Sequence, residues 1–226
     1  MSLATEQTSQ PLVTSVFLDS QSSHNALSQA LLDLSRCESI YDGDVETATA
    51  AISYSVVKNL GTTSCQVWLY TDDRNRFSPV AYYGTRAIDE PGQDLLVADH
   101  ADYFHSLTQH DWLVVNTGSH ASATDKSTGK ETLPPYLSEQ AQTITALVEI
   151  PIYHQKQLVG ILCCTQQCSP RVWQAAEKSF VVTAACLIAL AISHKSNQHQ
   201  TRALEKHKRQ LTLEMIERRQ ADQACQ

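Results

Sequence analysis

Two groups of potential metal ligands stand out in this sequence of 226 residues. The first contains Cys163, Cys164 and Cys168, and three neighbouring thiolates could in principle hold zinc. Adjacent residues of a strand point to opposite faces, so Cys163 and Cys164 cannot both reach one ion without a bulge. The pattern therefore favours small hydrophobic strand residues over a metal centre.

The second group consists of histidines with aspartates among them, and its members are His100, His105, His110, His120, Asp99, Asp102 and Asp111. On a helix, a spacing of five residues turns successive side chains about 140° apart, so no single face collects them. We predict solvated or loop histidines and no metal ligands. The sequence also contains no nucleophile elbow, phosphate loop or zinc-protease helix, so we expect no enzyme activity.

Glu149 is an unusual residue within an apolar run. Alternation with a period of two places it with Leu147 on the face opposite to Val148, Ile150 and Ile152. If that face encloses a cavity, the carboxylate needs a partner. It then recognises a polar or cationic group of a ligand, or a nearby Arg, Tyr or His satisfies it. The alternative is an edge strand with Glu149 in solvent.

Aromatic residues complete the candidate ligand site. By the same alternation, Trp68 and Tyr70 face the cavity from a strand that begins at Cys65. The predicted ligand-binding set is Trp68, Tyr70, Tyr103, Phe104, Trp112, Tyr136, Leu147 and Glu149. For each aromatic residue, the alternative is an ordinary position in the hydrophobic core.

Helices and hairpins must position these side chains. Leucines with helical spacing predict a helix from Ser23 to Glu38, and a second helix follows from Asp44 to Leu60. Two hairpins are predicted, with strands at Cys65–Tyr70 and Phe77–Tyr83 and at Ala146–Ile152 and Leu158–Thr165. Directly after the second hairpin, Ser169 can cap a helix and Pro170 suits its first turn.

Composition narrows the class of protein. The chain has 42% hydrophobic and 18% charged residues, as in a soluble globular domain, and a net charge of −7. Lys195 to Asp222 carries seven basic and four acidic residues, which gives +3 there and −10 elsewhere, so we expect no nucleic-acid surface. We also expect no membrane span and no secretory signal. Seven cysteines without disulfide-framework spacing favour a cytoplasmic location.

One heptad phase runs from Trp173 to the carboxyl end of the chain. One small domain cannot bury a helix of about fifty residues, so pairing with a second copy is the economical explanation. The residues assigned to this dimerising and signalling helix are Trp173, Phe180, Leu187, Leu190, His194, Leu204 and Leu211. The alternative is a helix that frays beyond the edge of the domain.

The second hairpin with its helix, together with the segment VWLYTDDRNRFSPVAYYG, resembles a GAF domain. The resemblance implies an α+β fold with an antiparallel sheet of about five or six strands. Helices would pack on one face of the sheet, a lid between Thr85 and Glu139 would cover the other, and a long C-terminal helix would follow. The implied organisation is a flexible lead-in at 1–22, a GAF domain at 23–194 and a coiled-coil signalling helix at 195–226, ahead of a missing output or PAS domain.

The segment QQCSPRVWQAAEKSF is similar to GAF domains of phytochromes and cyanobacteriochromes, which attach a bilin through a Cys-His pair. Counting back from Pro151 by that family's spacing leads to Pro134 and Pro135, and no cysteine occurs between Cys65 and Cys163. Covalent bilin attachment is therefore not expected, and no other cofactor is predicted, although haem stays open.

The resemblance implies a sensory module of a cytoplasmic signal-transduction protein, of the sensor histidine kinase or diguanylate cyclase type. The module would bind a small molecule non-covalently and relay the signal through the dimeric helix. Two alternatives remain: a ligand-free GAF domain that only dimerises and acts as a spacer, and a metal- or haem-binding sensor.

Overall fold

The structure, a computed structural model, describes residues 24–85, 93–109, 112–116, 134–140 and 143–224. The predicted lead-in at 1–22 lies outside the described residues, as do His110, Asp111 and His120. The helices are α1 (24–35), α2 (Glu38–Tyr41), α3 (Val45–Leu60), α4 (Ala101–Leu107) and α5 (Ala175–Ala224), with 3₁₀ turns at Val97–His100 and Pro135–Gln140. The strands are β1 (Ser64–Tyr70), β2 (Arg76–Gly84), β3 (Leu95–Leu96), β4 (Leu113–Asn116), β5 (Ile144–His154) and β6 (Gln157–Gln167).

The six strands form one antiparallel sheet in the order β3-β2-β1-β6-β5-β4. Strands β5 and β6 are the long central hairpin, and only Gln155 and Lys156 separate them. Both residues have positive φ angles, 50° and 66°, which is the backbone of a tight turn whose twist matches its strands. The fold class predicted from the sequence is confirmed.

The two faces of the sheet bury different sets of side chains. On the face that we call the helix face, α1, α2, α3 and α5 cover the core residues Cys65, Val67, Val148, Ile150, Ile152, Leu162 and Cys164. On the opposite face, which we call the lid face, α4 and the two 3₁₀ turns cover Trp68, Phe77, Leu147, Ile161 and Cys163. Alternation along each strand thus separates the structural core from the region that holds Glu149.

The prediction of a helix from Ser23 to Glu38 is wrong at its carboxyl end, because the helix ends at residue 35. Cys37 has an extended backbone with ψ of 116°, and a new short helix, α2, starts directly after it. The hydroxyl of Tyr41 in α2 donates a hydrogen bond to the carbonyl of Ser35 at 2.7 Å, which holds the two short helices at an angle. Leucine spacing predicted the buried stripe of α1 and gave no signal for this break.

The predicted start of the last helix is also wrong, because α5 begins at Ala175 and not at Ser169. The backbone N–H of Gln174 donates to the carboxylate of Glu177 at 2.9 Å, which caps the first turn. Arg171 donates to Glu177 at 2.6 Å and to the carbonyl of Leu60 at 2.8 Å, so the link into α5 is tied to the end of α3. An extended, anchored segment therefore replaces the predicted short link.

Helix α5 contains the one stretch of the described chain that is long and apolar enough to cross a membrane, judged by length and composition. Phe180, Val181, Ala184 and Ile188 of this stretch pack on the helix face, and 33% of its most apolar window is buried. The expected absence of a membrane span stays a prediction.

Gly160 allows β1 and β6 to approach closely, because a Cβ atom there would lie 2.3 Å from the Trp68 carbonyl oxygen and 2.4 Å from Leu69 Cδ2. We expect Gly160→Ala to lower the free energy of unfolding by about 2 kcal/mol, since backbone atoms must move. The matched control is Gly61→Ala, where φ is +63° and no atom lies within 4 Å, and strain alone costs about 1 kcal/mol. Urea unfolding followed by circular dichroism measures both, and a smaller loss at Gly160 than at Gly61 would contradict the close approach.

Candidate ligand site on the lid face

Glu149 lies on the lid face, on β5 between Leu113 of β4 and Cys163 of β6. Its side chain is completely buried, so the alternative of an edge strand in solvent is excluded. A carboxylate without water needs hydrogen-bond donors from the protein or from a ligand.

Two tyrosines approach this carboxylate from the lid. The hydroxyl of Tyr103, on α4, donates to Glu149 Oε1 at 2.6 Å, and the hydroxyl of Tyr136 donates to the same oxygen. The second oxygen, Glu149 Oε2, is buried and has no partner among the described residues. The protein therefore satisfies one half of the carboxyl group.

Burial controls the protonation of this cluster. Desolvation raises the pKa of Glu149 to about 7, against the opposing effect of the two tyrosine hydrogen bonds. Burial, with the charge of Glu149 as a further cause, raises the pKa of Tyr103 and of Tyr136 well above the usual value. Because both phenols stay protonated near neutral pH, they act as fixed donors, while Glu149 changes its charge there.

An aromatic cluster continues from Tyr136 along the lid face. The rings of Tyr136 and Trp68 lie 4.7 Å apart, and Trp68 stacks on Phe77 at 5.8 Å. Trp68 is fully buried, and its indole N–H donates to Gln66 at 3.0 Å, so the ring is held in one orientation. Glu149 thus lies at one end of a wall of aromatic rings.

The structure brings together most, but not all, of the predicted ligand-binding set. Tyr103, Tyr136, Leu147 and Glu149 lie at one place, and Trp68 is in contact with Tyr136. Tyr70 and Phe104 lie further along the same aromatic cluster, 5.6 Å from each other.

The placement of Trp112 in this set is wrong. Its side chain is 40% exposed, and Lys178 of α5 lies 5.8 Å above its ring, which is on the helix side of the sheet. Trp112 comes directly before Leu113, which packs on the lid face, so alternation turns Trp112 away from that face.

Cys163 belongs to the site, although the sequence reading did not include it. Its thiol is buried and lies within hydrogen-bonding range of Tyr136, and burial followed by the charge of Glu149 raises its pKa well above the usual value. The hairpin register pairs Cys163 directly with Glu149, so the register was the signal that could have found it. A thiol held protonated in this way is a weak nucleophile.

Within the described parts of the chain, no three His, Cys, Asp or Glu side chains are grouped so that they could hold a metal ion. Cys163 and Cys164 point to opposite faces, as alternation requires, and Cys168 is exposed. The described histidines of the lid region, His100 and His105, join no such group.

A concavity of about 430 Å³ lies where α3 and β6 end and β1 begins, lined by Gly61, Thr62, Thr63, Thr85, Gln166, Gln167, Cys168 and Ser169. All of its lining side chains are neutral. Water can satisfy polar groups in such an open cleft. The buried Glu149 requires a specific partner, so the lid face is the stronger candidate site.

The residues predicted for the dimerising helix divide into three groups by burial. Trp173 precedes α5, and both Trp173 and Phe180 are buried in the protein's own core, so they are not available for pairing. Leu187, Leu190 and His194 are half-buried, whereas Leu204 and Leu211 are exposed. The two exposed leucines belong to the part of α5 beyond residue 198, which the described domain does not cover.

Comparison with solved structures identifies proteins with a similar architecture. A bacteriophytochrome from the photosynthetic bacterium R. palustris aligns with a TM-score of 0.60 over 81% of this chain at 15% identity, and this chain spans 40% of its length. The blue-light-absorbing form of the PixJ GAF domain from Thermosynechococcus elongatus gives 0.55 at 16% identity, with 73% and 94% of the two chains covered. A phycoerythrobilin-bound GAF domain from a cyanobacterial phytochrome gives 0.59 at 16% identity, with 76% and 97% covered. At these identities the likeness shows the fold alone.

No curated protein matches the sequence significantly. The sequence model of the GAF domain, however, matches residues 44–192, which is more than half of the chain and extends from the cap of α3 into α5. The sheet, the covering helices and the lid-face site all fall within or next to this range. The chain belongs to the GAF domain family.

Proposed function

We propose that this chain is the sensory module of a cytoplasmic signal-transduction protein and that it binds a small molecule non-covalently at Glu149, Tyr103 and Tyr136. Ligand occupancy biases α5, which passes the signal in a homodimer to an output domain of the histidine kinase or diguanylate cyclase type. The fragment itself is not an enzyme in this proposal.

The observation that carries the proposal is the unpartnered oxygen of Glu149. A fully buried carboxylate oxygen without a donor costs free energy, by about 1 to 3 kcal/mol for a typical polar group and more for a charged one. Two tyrosine donors already fix the carboxyl group in one orientation. A small molecule that donates to Oε2 would remove this cost, which is how a protein favours its bound state.

Non-covalent binding follows from the thiols. A solved relative carries phycoerythrobilin, and others are phytochromes, so bilins are natural candidates for testing. In this chain no cysteine lies between Cys65 and Cys163. Cys163 is the thiol nearest to Glu149, and burial holds it in its unreactive protonated form.

The turn between α2 and α3 supports α5 as the relay. A Cβ atom at Gly43 would lie 2.6 Å from the backbone nitrogen of Lys195, so the turn touches the α5 backbone. Tyr41 packs edge-on against His194 at 5.8 Å, and Gln198 donates to the Asp42 carbonyl at 2.9 Å. The turn between α2 and α3 therefore contacts α5 where the uncovered part of the helix begins. A shift of this contact would be transmitted along the helix.

The homodimer makes a prediction about the exposed leucines of α5. We expect the chain to have about twice its monomer mass of 25.0 kDa by light scattering at micromolar concentration. The double substitution Leu204→Glu and Leu211→Glu should give monomers, because it places charges in the predicted dimer interface of α5. Leu213→Glu is the control, since the exposure of Leu213 lies between those of Leu204 and Leu211 and Leu213 lies outside the predicted dimer interface. A monomeric wild-type chain, or a dimer in the double variant, would contradict the pairing.

Native mass spectrometry of the purified chain tests the ligand, together with an absorption spectrum and a thermal-shift screen that includes biliverdin. We expect a retained or stabilising small molecule in the wild-type protein and its loss in Glu149→Gln. A protein that retains nothing and is stabilised by no compound would reject the sensor function.

The closely packed aromatic rings of the lid face favour a second candidate function, a ligand-free dimerisation and spacer element. Trp68 and Phe77 are fully buried against each other, so part of this face is already filled. The same experiments separate the two functions, because a spacer dimerises and binds nothing. Metal analysis and a search for a Soret band test the metal- or haem-binding sensor, for which the described residues provide no group of three metal ligands.

A further inference from the structure

The charge around Glu149 suggests the chemical class of the ligand. Resting on the proposed function, we propose that the ligand is an organic cation whose protonated amine donates a hydrogen bond to Glu149 Oε2 and packs against the rings of Tyr103 and Tyr136. Three features of the site carry this inference: the direction of the hydrogen bonds, the missing countercharge and the aromatic surroundings.

The direction of the hydrogen bonds shows that the Glu149 carboxylate acts as an acceptor. Each tyrosine hydroxyl has one hydrogen, and both hydroxyls point to Oε1. An ionised carboxylate accepts at both oxygens, so this arrangement leaves Oε2 open for a further donor. A protonated Oε2 would itself need an acceptor, and the described residues provide none.

Among the described residues, the negative charge of the ionised form has no countercharge. The two ion pairs among the described residues join Arg76 to Asp94 and Arg171 to Glu177, and neither involves Glu149. In the part of the lid face that the structure describes, Arg74 places its guanidinium over Tyr70 at 4.6 Å and donates to the Leu158 carbonyl. A buried carboxylate of this kind is stabilised strongly by a ligand that brings its own positive charge.

Aromatic rings favour the same class of ligand. Tyr103 and Tyr136 meet at 6.3 Å with their planes 73° apart, and Tyr136 continues to Trp68. Ring faces attract a cation through their quadrupole, and the attraction increases when water is excluded. A carboxylate beside angled aromatic rings therefore selects an ammonium group over a neutral or anionic one.

Matched pairs of probes test the charge of the ligand on the full chain. We would titrate benzylamine and cyclohexylamine by calorimetry at pH 8, and their neutral counterparts benzyl alcohol and cyclohexanol under the same conditions. We expect at least tenfold tighter binding of the amines, and at least a tenfold loss in Glu149→Gln. Glu205→Gln is the control for general electrostatics, because it removes the same charge from the exposed part of α5, and it should leave the affinity unchanged.

The dependence on pH provides an independent measurement. Among the described residues, the titratable groups that face the site besides Glu149 are Tyr103, Tyr136 and Cys163, and the pKa of each is well above the usual value. Ionisation of Glu149 with a pKa of about 7 predicts amine binding about tenfold tighter at pH 8 than at pH 6. The opposite trend would mean that the protonated carboxyl group is the binding form, and it would overturn the cation.

The outcomes separate this inference from the function on which it rests. Equal binding of amines and alcohols, binding that survives in Glu149→Gln, or no binding of either amine overturns the organic cation. If a neutral or anionic molecule co-purifies with the wild-type chain and its binding depends on Glu149, the ligand is not an organic cation. The proposed sensor function is then still supported. Amine binding with the stated preferences supports an organic cation as the ligand. The proposed sensor function is wrong if saturation with amine leaves the pairing of α5 unchanged.

Discussion

Replacement of Trp68 by alanine is expected to lower the free energy of unfolding by about 4 kcal/mol, while the same change at Trp112 costs less than about 1 kcal/mol. Trp68 is fully buried between Phe77 and Tyr136, so its removal leaves a large cavity in the lid face. It also removes the donor to Gln66, whose amide oxygen is buried. Trp112 loses only a partly exposed contact with Lys178.

Guanidinium unfolding followed by circular dichroism measures this difference, and both variants replace the same residue type. Trp68→Phe should recover much of the loss, because a smaller ring still fills most of the space and loses only the indole hydrogen bond. Similar losses at the two tryptophans would mean that Trp112 has moved into the lid, as the sequence suggested, and would contradict the assignment of the two faces.

The faces of the long strands could be predicted from the sequence, because successive side chains alternate between the two faces of a strand. β1, β5 and β6 are long strands with apolar residues on both faces, so a period of two assigned Trp68, Leu147 and Glu149 to the lid face directly. The same rule separated Cys163 from Cys164, which removed the three-thiol metal site. Strand periodicity is reliable here because buried pairing partners on both sides prevent a shift of register.

Positions outside the strands were harder to assign. Trp112 directly precedes a strand of only four residues, and its aromatic character says nothing about the face on which it packs. The start of α5 depends on Arg171, which binds the end of α3, and such a contact between distant segments leaves no local pattern. The heptad phase likewise included Trp173 and Phe180, because a period of seven does not distinguish residues that face the domain's own sheet from residues that face a second chain.

Glu149 connects the stability of the empty protein to its proposed function. An acid whose pKa is raised in the folded state binds more protons there than in the unfolded chain, between the ordinary value of 4.5 and about 7. The stabilising contribution is therefore complete below pH 4.5 and is lost as the pH rises through 7. Burial of the carboxyl group, whose second oxygen the proposed ligand would satisfy, is therefore the reason why the empty protein should lose stability as the pH rises from 4.5 through 7.

Between pH 5 and pH 8, we expect the wild-type chain to lose about 2.5 kcal/mol more stability than Glu149→Gln, because glutamine keeps the shape of the side chain and does not ionise. Urea unfolding at four pH values measures the difference, and the other titrating groups are common to both proteins. Glu205→Gln changes the same charge on an exposed surface and should follow the wild type. Parallel profiles of the wild type and Glu149→Gln would show that a cation within the chain already neutralises Glu149, and the site would then have no need of a ligand.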